Sequence, residues 1–400
     1  MERSLALART QRVDLRGAVT WTVVDERYTV VAPAEEYLEF LRDTDGSANT
    51  VKSYARALAL WWTFLEHRGL GWLDVELRHF GEFLRALRTG TVETGVISLE
   101  EVQRVPDSTV ATRMRPVMAF YRFQASNGVQ VASVLYEKVR AHPGPYLPFL
   151  EHVARRHGRT RSRIRLRTPR SRTPILTPEQ IRALVDHEAT WEPGQQAWVG
   201  DLRYRLMWLL LAETGARLGE VLSLRHGDWH TGRGGTASVR FEPSDHPHGQ
   251  ALKSGPREVH IGARLDRLYG DYVWMLCEHG ADQHIQDWDS SYVFVNIRRE
   301  PLFAPMRPES IYAHLRSVKR AGLGLPNEMT PHWFRHTHAT ALLLAGVPLH
   351  VVQRRLGHRD VQTTLNTYGH VAEDAELAAL ANWAETAQAW MGVDDARSVG

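Results

Sequence analysis

Residues 356–368 read LGHRDVQTTLNTY, and they follow ARLGEVLSL at 216–224 and TPHWFRHTHAT at 330–340. Arg217, His332, Arg335 and His358 offer N–H donors of the kind that a pentacoordinate phosphate needs when negative charge spreads over its oxygens. Tyr368 closes the last stretch with a phenol that can attack phosphorus. The spacing has a local cause. Gly357 ends a helix that opens at Pro348, which releases His358, and Asp360 can cap the short helix leading to Tyr368.

Each stretch alone occurs by chance in long chains, but their ordered succession within about 150 residues is specific. Together they resemble the three signature boxes of the tyrosine recombinases, also called phage integrases. The resemblance covers about residues 35–390. It implies a mainly α chain with a small β-sheet, in which a helical N-terminal core-binding domain precedes an α+β catalytic domain. It also assigns roles: Arg217, Arg335, His332 and His358 hold the phosphate, Tyr368 is the nucleophile, and Glu220 is the orienting or base-side partner of Arg217. An ordinary surface ion pair is the plain alternative for Arg217 and Glu220.

Lysine usage adds a candidate proton donor. Only Lys52, Lys138, Lys253 and Lys319 occur in a chain that otherwise uses arginine. A guanidinium with a pKa above about 12 holds its proton too tightly to protonate a leaving alkoxide, whereas an ammonium near about 10 can be tuned to do so. Lys253 lies between strand-like pieces at 237–241 and 258–261, where the family carries its lysine on a hairpin, although the connection here is longer than a tight turn. Lys319, on a helix, fits less well.

His332 and Arg335 sit one turn apart behind Thr330 and Pro331, read as a cap and a first-turn proline. His332 with His336 has the i, i+4 spacing of zinc ligands, but Trp333 stands where a zinc hydrolase carries glutamate. His336 and His338 are therefore read as core or supporting histidines, and no metal is expected. There is no Gly-x-x-x-x-Gly-Lys-Ser/Thr phosphate loop, and a phosphotyrosine conserves bond energy, so neither cofactor nor nucleotide fuel is expected.

Composition sets the frame. Four hundred residues, 43% of them hydrophobic, allow two or three globular domains. The single cysteine, Cys277, cannot form an internal disulfide, and neither a secretory leader nor a membrane span is read, which points to the cytoplasm. The formal charge is only +3, yet Arg155–Arg172 holds nine arginines and no acid. That run reads as a phosphate-tracking stripe containing Arg161, Arg163, Arg165 and Arg167, or as a solvated linker.

Five segments follow: a β-like extension at 1–32 (Val19–Val24 and Tyr28–Val31), a helical DNA-binding domain at 33–142, an arginine-rich linker at 143–174, a catalytic domain with a C-terminal helix at 175–392, and a tail at 393–400. One helix is expected after Asn49 or Thr50 and another from Ser108 to Asn127-Gly128. Thr50, Lys52, Arg56, Arg113, Arg115 and Arg122 fall mostly off their apolar stripes, where they face either a DNA backbone or solvent. A capping box at Thr177–Gln180 opens the next domain, followed by helices at about 178–187, 199–213 and 217–226 and further ones from Pro308.

The expected partner is double-stranded DNA, bound by a homo-tetramer in the synapsed state and by a monomer or weak oligomer when free, with accessory recombination proteins as further partners. A type IB-like topoisomerase and an inactive DNA-binding protein are the alternatives.

Overall fold

In the computed structural model the chain divides into two compact units, Met1–Arg170 and Ser171–Gly400. The described residues are 7–15, 18–44, 46–92, 105–129, 136–138, 160–162, 164, 174–233, 235–243, 246–248 and 254–357.

Among its described residues the first unit packs four helices around aromatic side chains: α1 (Ala32–Asp43), α2 (Ala48–His67), α3 (Leu77–Thr89) and α4 (Asp107–Ser126). Trp61 is fully buried, stacked on Phe80 at 4.9 Å and edge-on to Phe83 at 4.9 Å, and its indole N–H donates to the Tyr121 hydroxyl. Burying such rings is worth about 1.5–3 kcal/mol each, which lets a small bundle hold together. α2 begins one or two residues before the expected caps, because Ser47 Oγ accepts from the Thr50 N–H and closes the first turn. α4 ends at Asn127, followed by left-handed Gly128, as its sequence implies.

The N-terminal extension is a hairpin. β2 (Ala18–Val24) pairs antiparallel along its length with β1 (Arg9–Leu15), and 28–31 adds only an isolated bridge between Val24 and Val30. After Val24 the Asp25 carboxylate accepts the N–H groups of Arg27 and Thr29, Tyr28 takes φ 61°, and the chain turns back so that the Val31 N–H reaches Val23 O. Within the span read as helix and linker, β3 (Tyr136–Lys138) pairs with β4 (Thr160–Ser162), which places Arg161 on a strand.

The second unit opens with α5 (Pro178–Glu188), capped by the Thr177/Gln180 box. A hairpin not anticipated from sequence follows, β5 (Ala189–Glu192) with β6 (Ala197–Gly200), clasped by edge-on Trp191 and Trp198. Asp201 then caps α6 (Leu202–Thr214). α7 (Leu218–Leu222) stops short of the helix expected at 217–226. Tertiary pairing claims the backbone beyond it: Val293 N–H donates to Leu224 O, and His226 N–H donates to Ser291 O. A three-stranded antiparallel sheet has the order β7 (Trp229–His230), β8 (Ala237–Phe241), β9 (Arg257–Ile261).

α8 (Ala263–Glu278), α9 (Ala281–His284), α10 (Pro308–Arg320), α11 (His332–Leu344) and α12 (Leu349–Leu356) complete the described chain. α8 escaped the sequence reading although Leu265, Leu268, Tyr272 and Leu276 lie on one buried stripe. Among the described residues no helix is long and apolar enough to cross a membrane.

Candidate active site

The site begins where α6 ends. Gly215 takes φ +64°, and a Cβ there would meet the His338 ring at 2.7 Å and Leu356 at 2.8 Å, so glycine is required for conformation and for space. The chain leaves this turn with Arg217 at the N-cap of α7, and Glu220 lies one turn on.

Glu220 is the hub. Its side chain is 1% exposed and takes four donors: Arg217 N–H at 2.9 Å, Arg217 Nη1 at 3.0 Å, Arg257 Nη2 at 2.6 Å and the Ser254 hydroxyl. Burial would raise its pKa, but Arg257 and these hydrogen bonds override that and bring it down to about 2. A carboxylate so fully engaged is a poor proton acceptor, so of the two roles read for Glu220 the geometry supports orientation. The pair with Arg217 is no surface ion pair, because its acid is buried.

Arg217 is 27% exposed, and among the described residues its Nε and Nη2 bond nothing, while Nη1 is held by Glu220 and Ser254. One edge of the guanidinium is thus fixed and the other available. His332, at the start of α11, has an exposed ring edge and packs edge-on to His336 at 4.5 Å. Partial desolvation, then the positive charges of Arg335 and Arg217, lower its pKa, so the ring beside the two guanidinium groups favours the neutral form. Thr330 supplies no side-chain cap. Pro331 occupies that position, and the Trp333 N–H turns back to the Thr330 carbonyl.

Arg335 differs from the free clamp arginine that its motif suggests. Only 1% of it is exposed. Nη1 donates to Gly215 O at 2.8 Å and Nη2 to Leu356 O at 2.7 Å. One guanidinium thereby joins the C-terminal ends of α6 and α12, where helix dipoles favour a cation. It ties the turn before Arg217 to the residue two before His358.

The residues next to two further candidates meet at the same point. Lys253, His358 and Tyr368 lie outside the described residues, as do Arg163, Arg165 and Arg167. Beside Lys253 and His358, a Cβ at Gly357 would stand 2.6 Å from Ser254 Cβ and 3.1 Å from Arg257. The residue after Lys253 and the residue before His358 are therefore in contact.

Sequence reasoning misses Ser254, Arg257 and Arg355 as parts of this framework, while His338 takes the supporting place read for it. Arg257 runs along the Phe241 ring at 4.6 Å and donates through Nε to Arg355 O. Arg355 donates to Glu213 O, His260 O and His338 Nε2. Because His338 Nε2 accepts from Arg355, its proton sits on Nδ1 and goes to Ala212 O. The signal that could have found Ser254 and Arg257 is their position beside Lys253 at the start of a strand.

Burial, then the Arg355 charge, pulls His338 down to about 4, and burial alone does the same to His226. Unfolded histidine titrates near 6.5, so the unfolded state binds more protons as pH falls from 6.5 toward 4. Stability is then lost by up to about 1.4 kcal/mol per pH unit per histidine. Glu220 acts lower, its contribution complete above 4.5 and lost as pH falls through about 2. Urea unfolding at pH 7 and pH 5 should show this loss, and His338→Gln should shrink it. Equal stability at both pH values would contradict the buried neutral imidazoles.

In the first unit Lys52, Arg56 and Arg113 line one cleft. Thr50 is instead engaged with the Ser47 hydroxyl in the α2 cap, and Arg115 is exposed outside the cleft. Among the described residues no group of three or more His, Cys, Asp or Glu is arranged to hold a metal ion.

Residues 174–375 match the phage integrase family, and residues 34–128 match the phage integrase N-terminal SAM-like domain. Transposase A from transposon Tn554 of Staphylococcus aureus is 28% identical over 91% of this chain and 95% of its own length. Tyrosine recombinase XerD of Mycobacterium tuberculosis is 26% identical over 84% and 92%. In fold, the Tn1549 transposon integrase in complex with transposon right end DNA superposes with a TM-score of 0.55 at 19% identity, over 88% of this chain and 98% of that one. XerH site-specific recombinase bound to a difH substrate gives 0.54 at 15% identity, over 86% and 82%. The chain belongs to the phage integrase family, the tyrosine recombinases, whose members cut and rejoin DNA strands.

Proposed function

We propose that this protein is a site-specific recombinase of double-stranded DNA that moves a mobile element, with Tyr368 as its nucleophile. The phenolic oxygen gives its proton to solvent water and forms a bond to phosphorus. The bond from phosphorus to the 5′ oxygen breaks, and Lys253 protonates that leaving oxygen. Rejoining reverses the step on another strand, so the phosphodiester is conserved without a nucleotide or metal.

The observation that carries this reading is the shared framework, in which Glu220, Ser254 and Arg257 hold one edge of Arg217 while Arg335 ties Gly215 to Leu356. It supports Arg217, His332 and His358 as the groups that steady the phosphorus oxygens, with Arg335 and Glu220 keeping them in register and His336 against the His332 ring. Transposase A from Tn554 favours transposition or integration over other uses of the chemistry. The helical stretch 33–142 then grips the duplex, 143–174 tracks its backbone through Arg161, Arg163, Arg165 and Arg167, and 175–392 carries the chemistry. We further propose a monomer or weak oligomer in the cytoplasm that becomes a homo-tetramer when two sites synapse, with accessory recombination proteins.

The test is to incubate the protein with nicked duplexes carrying candidate element ends, in chelator, and to map the covalent adduct by mass spectrometry. The expected product is a 3′-phosphate on Tyr368, with strands joined between two separate duplexes. An adduct on another tyrosine, or loss of cleavage in chelator, would overturn the assignment, and relaxation without joining would mark a topoisomerase.

A further inference from the structure

The cleft of the first unit has a wall that the family does not account for. The SAM-like match begins at residue 34, whereas the β1–β2 hairpin spans Arg9–Val24. We infer that this hairpin forms, with α2 and α4, a binding cleft for the phosphodiester backbone of duplex DNA, in which Arg9 contacts phosphate and Trp21 positions Lys52. The inference rests on reading α2 and α4 as nucleic-acid-binding and extends that surface to a new element.

The hairpin is fixed to the bundle. Ala8 N–H donates to Thr63 Oγ1 on α2, the Thr63 hydroxyl returns to Ala8 O, and the Val31 N–H donates to Val23 O. Val23 is fully buried, and the Thr22 hydroxyl donates to Glu35 on α1. A strand held in this way presents its side chains in set directions.

The cleft encloses about 670 Å³ and gathers Arg9, Lys52, Arg56 and Arg113 with no acidic side chain in its lining. Asn49 and Ser53, in the first turns of α2, add neutral donors and acceptors. Four converging cations from three separate elements make a poor site for an apolar or cationic ligand. They suit a chain of phosphates that releases counterions on binding. Trp21 of the hairpin lies under the Lys52 ammonium at 4.5 Å, and Arg9 Nη1 donates to the Tyr28 hydroxyl just beyond it.

A nearby cation supplies an internal control. Arg12 stands opposite Trp21 in the hairpin register yet does not line the cleft, whereas Arg9 does.

The experiment measures binding of the full chain to a mixed-sequence duplex as a function of salt, for wild type, R9A, R12A, W21L and R56A, each checked for an unchanged thermal melt. R9A should weaken binding at fixed salt by about three- to tenfold and lower the salt slope by about one, uniformly across sequences, because one phosphate contact is lost. W21L should weaken binding by a smaller factor, and R12A should match wild type. If R9A and W21L match wild type while R56A weakens binding, the hairpin is not part of the surface and the reading of α2 stands. If R12A weakens binding as much as R9A, overall charge and not the cleft is responsible, and the inference fails. If R56A also binds like wild type, the reading of α2 falls with it.

Discussion

Arg335→Ala is expected to abolish strand cleavage and to destabilise the second unit by about 2–6 kcal/mol, because two helix-terminal carbonyls each lose a buried donor at about 1–3 kcal/mol. Both acceptors, Gly215 O and Leu356 O, are backbone groups inside the protein and cannot turn away. The functional loss follows from the same bonds. Without the guanidinium, the turn leading to Arg217 and the end of α12 leading to His358 are free to drift apart, and loss of a preorganised donor set costs about 100- to 1000-fold in rate.

Arg335→Lys separates charge from geometry. An ammonium keeps the positive charge but cannot bridge two carbonyls as a planar fork does, so stability should recover in part and cleavage should not. Single-turnover cleavage of a nicked duplex and urea unfolding read the two effects. A lysine variant that cleaves at the wild-type rate would show that charge alone matters, and would sink the account of Arg335 as the tie between α6 and α12.

Glu220→Ala is expected to be comparably severe, at about 3–5 kcal/mol, because it removes the acid from a buried pair and leaves its cation behind. Arg257, whose side chain is 4% exposed, would then hold a positive charge in the interior, beside Arg217. Ser254 would lose its acceptor at the same time, loosening the segment that carries Lys253. Combining Glu220→Leu with Arg257→Leu should cost markedly less than the two singles added together, a coupling of about 2 kcal/mol or more. Strict additivity in urea melts would mean that the two side chains do not stabilise one another. Activity should stay low in the double variant, since nothing then holds the inner edge of Arg217.

Much of the outline was legible in the chain because its signals are local. The Thr177/Gln180 box, the Gly357 stop after α12 and the Asn127-Gly128 end of α4 each depend on groups within a few residues of one another, and each appears where its residues imply. Strands β8 and β9 were readable for the same reason, as short runs rich in β-branched or aromatic side chains. The three ordered boxes likewise announced the chemistry, because spacing along a helix determines which side chains share a face.

What sequence could not decide was set by partners far away in the chain. α7 ends at Leu222 because residues 291–293 claim the backbone after it, and Ala189–Glu192 turns into a strand because Ala197–Gly200 returns to pair with it. Motif spacing named Arg217, Glu220, His332 and Arg335 but not how each is used. Burial made Glu220 an ion-pair hub with Arg257, and it turned Arg335 into a tie between two helix ends. The physical reason is that a charged group's role depends on what solvates it, and in a folded chain that solvent is protein brought from elsewhere.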